Sequence, residues 1–237
     1  LPEPGSVFDL PEFGFDKQVS PDLSGVRIGF SPDLDGLLPI EDEVASIVGR
    51  TAEVFSGLGA RVDGAIPDLS DADEVFGVRR ALDFVGSWGG LYEAHPDRIK
   101  DSVVWNIRMG LRLTGAEVAS AEAARARLHS EVDRFFADHD ALVLTTCQVL
   151  PFDAGIEYPT EINGVRLENY LDWMRALCLI SATGCPAISV PAGFSDSGLP
   201  VGVQIVARPG ADVELLRIAH AFETATGHHS RHPRLWG

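Results

Sequence analysis

The residues whose types could do chemistry are Cys185, the serines of the Gly193–Gly198 stretch, the histidines near the C-terminus and two lysines. A nucleophilic thiol needs a base or a positive field, and access. Cys185 has an apolar run on one side and Pro186 on the other, so it reads as a buried structural residue. In Gly193-Phe-Ser195-Asp-Ser197-Gly198 the glycines stand one residue too far apart for a G-x-S-x-G nucleophile elbow. His228, His229 and His232 form H-H-x-x-H, but no helix pattern or acid fixes them; they read as a solvated tail rather than a metal site. His220, in the middle of an expected helix, reads as a surface or half-buried residue rather than a general base. Lys17 and Lys100 lie in polar, exposed-looking segments, and neither has a serine at a spacing that suggests a Ser–Lys pair. Neither "GFSDSG" nor "GSWGG" has the spacing of a phosphate-cradling loop. The chain therefore offers no self-contained catalytic set, and no cofactor or metal is implied.

The elements that must position any site follow from the apolar periodicity. "GVRIGFSP" (Gly25–Pro32) predicts a strand, "EDEVASIVGRTAEVFSGLG" one amphipathic helix, and "ARVDGAIP" (Ala60–Pro67) a second strand. Together they make a β-α-β unit, the minimal parallel-sheet motif. From Leu69 to about Asp138 the pattern is helical, with breaks expected near Gly89-Gly90, Pro96 and Thr114-Gly115. Thr114 and Glu117 form a capping box at the head of the longest helix. "ALVLTTC" (Ala141–Cys147) is a continuous apolar run, as expected for a strand buried on both faces. The Pro- and Gly-containing loop "QVLPFDAGIEYPTEINGVRL" follows, and reads equally as a site lining or a surface excursion. Glu168–Gly184 predicts an apolar helix. Ala187–Phe194 and Pro200–Arg208 predict an antiparallel hairpin, and Asp212–Gly227 an N-capped helix. The fold class expected is α/β, a mixed β-sheet with helices on both faces. Residues 1–24 read as an extended linker and 25–237 as the folded part.

Composition bounds the function. With 237 residues, 45% of them hydrophobic, the chain is long enough for a real core. A formal net charge of −16 argues against nucleic acid or an anionic membrane as partner, since both select Lys/Arg surfaces. Three cysteines without a C-x-x-C pair suggest a reducing, cytoplasmic setting and no zinc site. The chain begins "LPEPGSVFDLPEFGFD" without Met, and is read as a processed chain, a fragment or a chain cut at a boundary.

The stretch "TGCPAISVPAGFSDSGLPVGVQIVARPGADVELLRIAHAFE" closely resembles the C-terminal part of the amidase signature family, with its TG-x-PA-x-SVP-x-G run, GLPVG-x-Q-x-VG-x-P run and terminal helix. "NYLDWM", "LPFDAG", "LSGVRIGFSPD" and "HHSRHPRL" fit the same pattern in order, so the resemblance covers nearly all the chain from about Leu23; Ala207 departs from the family's second glycine. The resemblance implies amide hydrolysis by a Ser–Ser–Lys set carried on a Gly/Ser-rich segment and just upstream of it. No such segment occurs here, so none of the three roles passes to a numbered residue, and the chain reads as the C-terminal half of such an enzyme. Its implied partners are a small-molecule amide and the N-terminal half; a homodimer is left open. Expressed alone, such a half would expose strand edges and apolar surface, and is expected to aggregate or fold poorly.

What the resemblance leaves to this chain is fold and part of a substrate pocket, for which the candidates are Trp88, Trp105, Gln148, Phe152, Tyr158 and Trp173. Cys185 would pack beside the catalytic serines without taking part. Two other readings compete with a stand-alone amidase. One is the amidotransferase A-type subunit, which passes ammonia onward with partner proteins. The other is a non-catalytic binding module that keeps the fold.

Overall fold

A computed structural model describes residues 21–231, which divide into two compact units. The first comprises 21–66, 136–174 and 185–231 and is built on a five-stranded mixed sheet. Strands β1 (Arg27–Phe30), β2 (Arg61–Asp63) and β3 (Ala141–Thr145) run parallel, with β1 between the other two. Strands β6 (Ala187–Phe194) and β7 (Pro200–Ala207) complete the order β2-β1-β3-β7-β6, and both of their pairings are antiparallel. The expected β-α-β unit and hairpin are both present. Every residue of β3 is buried, as its unbroken apolar run requires. Packing begins before Gly25: Leu23 is fully buried and its N–H donates to the Leu58 carbonyl at 2.9 Å.

The single helix expected after β1 is instead two, α1 (Asp42–Gly49) and α2 (Thr51–Gly57). The buried Thr51 hydroxyl donates to the Val48 carbonyl at 2.7 Å, competing with the helix ladder at the joint. Helix α7 (Asp212–Thr226) lies against β6 and β7 and ends at Gly227, whose φ of 63° is the left-handed cap that glycine adopts without strain. Its N-cap is Ala211, not a side-chain cap; Asp212 and Glu214 act there only as charges in the first turn.

The second unit comprises 67–135 and 175–184 and is helical. Helix α3 (Ala72–Ala94) runs unbroken through Gly89-Gly90, where a break was expected; the expected break at Pro96 is present. Helix α4 (Asp101–Arg112) packs on α3, and so does α6 (Arg175–Thr183). The helix expected over Glu168–Gly184 is thus confined to its second half. The Asp172 carboxylate accepts the N–H groups of Glu168 and Asn169 at 2.6 and 3.0 Å, folding the chain back into a short 3-10 turn before α6 can start.

Helix α5 (Gly115–Asp138) opens with the capping box read from the sequence. Thr114 N–H donates to Glu117 Oε2 at 2.8 Å, and Glu117 N–H donates to Thr114 Oγ1 at 3.2 Å. Donation from the Thr114 N–H, and then from its hydroxyl, holds the Glu117 carboxyl below the usual glutamate range. A depressed folded-state pKa contributes stability above the unfolded pKa that is lost as pH falls through the folded one. Glu117→Gln is therefore expected to flatten the acid limb of a urea-midpoint-versus-pH profile and to leave the neutral-to-alkaline limb unchanged in slope. An acid limb as steep as that of the parent would show that the box carries none of this dependence. Among the described residues no helix is long and apolar enough to cross a membrane.

Candidate functional site

Where β3 ends, Thr146 and Cys147 carry the chain off the sheet beside β7 and β6. Register places Leu144 opposite Gln204, and Gln204 opposite Ser189, so side chains two residues apart along these strands share a face. The Thr146 and Ser189 hydroxyls meet over Gly202 at 2.7 Å. A Cβ on Gly202 would stand 2.8 Å from Ser189 Oγ and 2.9 Å from Thr146 Oγ1, so glycine is what lets the two hydroxyls bond across β7. On the same face lies Gln204, 5% exposed, whose Oε1 is buried with no partner among the described residues.

Beside this floor is a cavity of about 430 Å³, walled by Thr146, Cys147 and 149–152, by Trp173, by 189–191 on β6 and by 200–202 on β7. That volume lies in the range of small-molecule sites. Its far wall is the 148–167 loop, and the loop is anchored. Gln148 is fully buried and its Nε2 donates to the carbonyls of Pro39 and Asp172 at 3.0 and 3.1 Å. Leu150 N–H donates to Glu41 Oε2 at 2.8 Å, and Asn163 Nδ2 donates to the Ile40 carbonyl at 2.7 Å and to Asp42 Oδ1 at 2.9 Å. Within the loop, β4 (Glu161–Ile162) and β5 (Val165–Arg166) form a hairpin on Asn163-Gly164, both at positive φ. This hairpin was not read from the sequence, although Asn-Gly is a strong hairpin signal. Its Ile162 joins Val149 and Leu167 in a small core on which Trp173 rests, and Phe152 meets Trp173 edge to face at 5.3 Å. Burial pushes the Cys147 thiol above its usual range, so it faces the cavity as a neutral group.

Of the residues proposed for a pocket, the structure brings Phe152 and Trp173 together on this cavity. Gln148 stands behind the wall as its fastening. Tyr158 pairs with Tyr170 at 6.5 Å, outside the lining. Trp88 and Trp105 lie on α3 and α4 of the second unit, 45% and 40% exposed. Thr146, Ser189 and Gly202 were missed: the two hydroxyls are 43 residues apart, and only strand register makes them neighbours.

The remaining chemical candidates are accounted for separately. Cys185 precedes β6 and lines no part of the cavity, and no disulfide joins the three cysteines. Phe194 carries the His228 ring edge-on at 5.9 Å and the Arg231 guanidinium at 4.0 Å, so this part of the tail packs on β6 rather than standing in solvent; His232 lies outside the described residues. No group of three metal-ligating side chains is present among the described residues.

The mixed sheet with its helices agrees with the comparisons. The family model for amidases matches residues 4–216, and the chain belongs to that family. It is 30% identical to an acylamidase of Rhodococcus erythropolis, over 85% of this chain and 43% of the relative. It is 41% identical to the A-type subunit of a glutamyl-tRNA(Gln) amidotransferase from Dehalococcoides mccartyi, over 94% of this chain and 52% of the relative. Its fold matches a bacterial aryl acylamidase of the amidase signature enzymes with a TM-score of 0.75 at 24% identity, covering 90% of this chain and 46% of that one. The chain thus spans about half the length of the curated relatives it matches.

Proposed function

We propose that this chain is the C-terminal portion of a cytoplasmic amide hydrolase whose serine nucleophile, relay serine and lysine base lie on a segment outside these 237 residues. The observation that carries this is an amidase-family chain with a preformed apolar cavity and, among the described residues, no lysine placed to act as base. Lys100 is exposed at the head of α4, and Lys17 lies outside the described residues. Serine attack on the amide carbonyl would form a tetrahedral oxyanion held by backbone N–H groups, then release amine or ammonia and pass the acyl group to water. The part of this chain is to wall one side of the substrate, exclude water and hold it against the incoming nucleophile.

The test is fluorophosphonate labelling of the complete gene product, with peptide mapping, alongside ammonia release from benzamide. Labelling of a serine outside residues 1–237 together with ammonia release is expected. A label on Ser189 or any other serine of this chain would overturn the assignment. A second reading, an amidotransferase A-type subunit, is favoured by the 41% identity to one of that type. It predicts glutamine hydrolysis that depends on added partner proteins, and turnover of a simple amide by the gene product alone counts against it.

A further inference from the structure

The cavity between the β3–β7–β6 floor and the 148–167 loop is lined by Val, Leu, Pro, Phe and Trp side chains, with Thr146, Cys147 and Ser189 as its polar side chains; among the described residues no charged one lines it. Carboxylates on and around the loop accept local N–H groups, Asp153 from Gly155 among them. Glu41 accepts from the Leu150 N–H, Asp42 from the Asn163 amide, and Asp172 from the N–H groups of Glu168 and Asn169. An ammonium or carboxylate packed against this wall would lose hydration and find no opposite charge on it, and burying an unpaired charge is strongly unfavourable. Two hydroxyls offer two O–H donors and four lone pairs. The bond between Thr146 and Ser189 uses one of each, leaving a single O–H donor for an incoming acceptor. The aromatic edge and face presented by Phe152 and Trp173 are suited to a flat ring.

Resting on the reading of the chain as part of an amide hydrolase, we infer that this cavity takes the uncharged aryl group of an aryl amide and rejects the zwitterionic α-carbon end of glutamine. The site discriminates by desolvation: the aryl group leaves water at a gain, while glutamine would strand two charges. Phe152 and Trp173 are the specificity-determining side chains. The Thr146–Ser189 pair supplies one neutral hydrogen bond.

The test measures kcat/KM for benzamide, acetamide and glutamine in the complete gene product, with isothermal titration of benzamide and glutamine. Benzamide is expected to be preferred over glutamine by about 100-fold or more. Trp173→Ala is expected to lower the benzamide-to-acetamide ratio of kcat/KM by about 10- to 100-fold, the range for losing a hydrophobic pocket contact. Trp173 also rests on the Val149–Ile162–Leu167 core, so Phe152→Ala is the second variant: Phe152 is 37% exposed and is not part of that cluster. It is expected to lower the same ratio by about 10-fold. Preference for glutamine, or ratios unchanged in both variants, overturns the inference and leaves the hydrolase reading standing. Saturable binding of benzamide but not glutamine, weakened in both variants and without hydrolysis of any amide, supports the cavity assignment and sinks the hydrolase reading. Neither turnover nor saturable binding removes both.

Discussion

Truncation of Phe222 to alanine is expected to destabilise the protein by about 3–5 kcal/mol, the range for removing a fully buried aromatic ring. Phe222 on α7 and Phe55 on α2 are both fully buried, and their rings stack with centroids 4.8 Å apart at 26°. Leu215, Ile218 and Ala219 continue the same buried face of α7. These neighbours are held by the helix and by β6 and β7, so little can collapse into the space the ring vacates. The measurement is urea denaturation at constant m-value, with Phe55→Ala and the double variant completing a cycle. A coupling of about 0.5–1.5 kcal/mol between the rings is expected beyond their separate burial. A loss under about 1.5 kcal/mol for Phe222→Ala would mean that α7 relaxes onto α2 and seals the sheet only loosely. The effect bears on function because α7 backs β6 and β7, which carry Ser189 and Gly202 to the cavity floor.

The same two strands show what could be read from the chain and what could not. Alternation in "PVGVQIVA" and the turn residues between the strands specified the β6–β7 hairpin, since local period and turn chemistry agree there. The strand expected over Ala141–Cys147 was legible from its unbroken apolar run, although it ends at Thr145, and Thr114 with Glu117 was legible as a helix start. Errors arose where a long-range contact outweighs a local preference. The Gly89-Gly90 pair costs α3 about 1 kcal/mol of propensity per residue, but packing of α3 on α4 and α6 carries the helix through it. Asp172 looked like one more residue of an apolar helix, yet its carboxylate closes a turn on Glu168 and Asn169. Of the candidate site, Phe152 could be proposed because an aromatic in a long loop is conspicuous, and Trp173 because it is an aromatic near the start of an expected helix. Gln148 was conspicuous as a polar group at the start of that loop, but nothing in sequence tells a polar group aimed at a ligand from one fastening the wall behind it. Thr146 and Ser189 could not be proposed, because the alternation of each strand gives its faces but not the pairing between strands.

Two glycine-to-alanine substitutions separate a clash that can relax from one that cannot. Gly110→Ala is expected to cost about 3 kcal/mol, the upper end of ordinary overpacking, even though alanine in a helix interior would by itself gain about 1 kcal/mol. The added methyl on α4 would run into the Ala81 carbonyl oxygen of α3 and stand 2.6 Å from Val85 Cγ2. A backbone carbonyl inside a helix has no rotamer to escape into, so the two helices must separate and lose contact along their length. Gly202→Ala meets two side-chain hydroxyls at 2.8 and 2.9 Å, which can turn away at the loss of one hydrogen bond, about 1 kcal/mol, and Thr146 Cβ at 3.2 Å, which has only to give by a small shift. Second-site changes test the distinction. Val85→Ala in the Gly110→Ala background is expected to recover little, because the carbonyl remains. Ser189→Ala in the Gly202→Ala background is expected to recover most of the smaller loss, because it removes the nearest atom. Denaturation midpoints of the four variants decide between them. Equal costs for the two glycines, or full rescue of Gly110→Ala by Val85→Ala, would show that α3 and α4 yield as readily as a serine rotamer, and that the close approach at Gly110 is not what holds the two helices together.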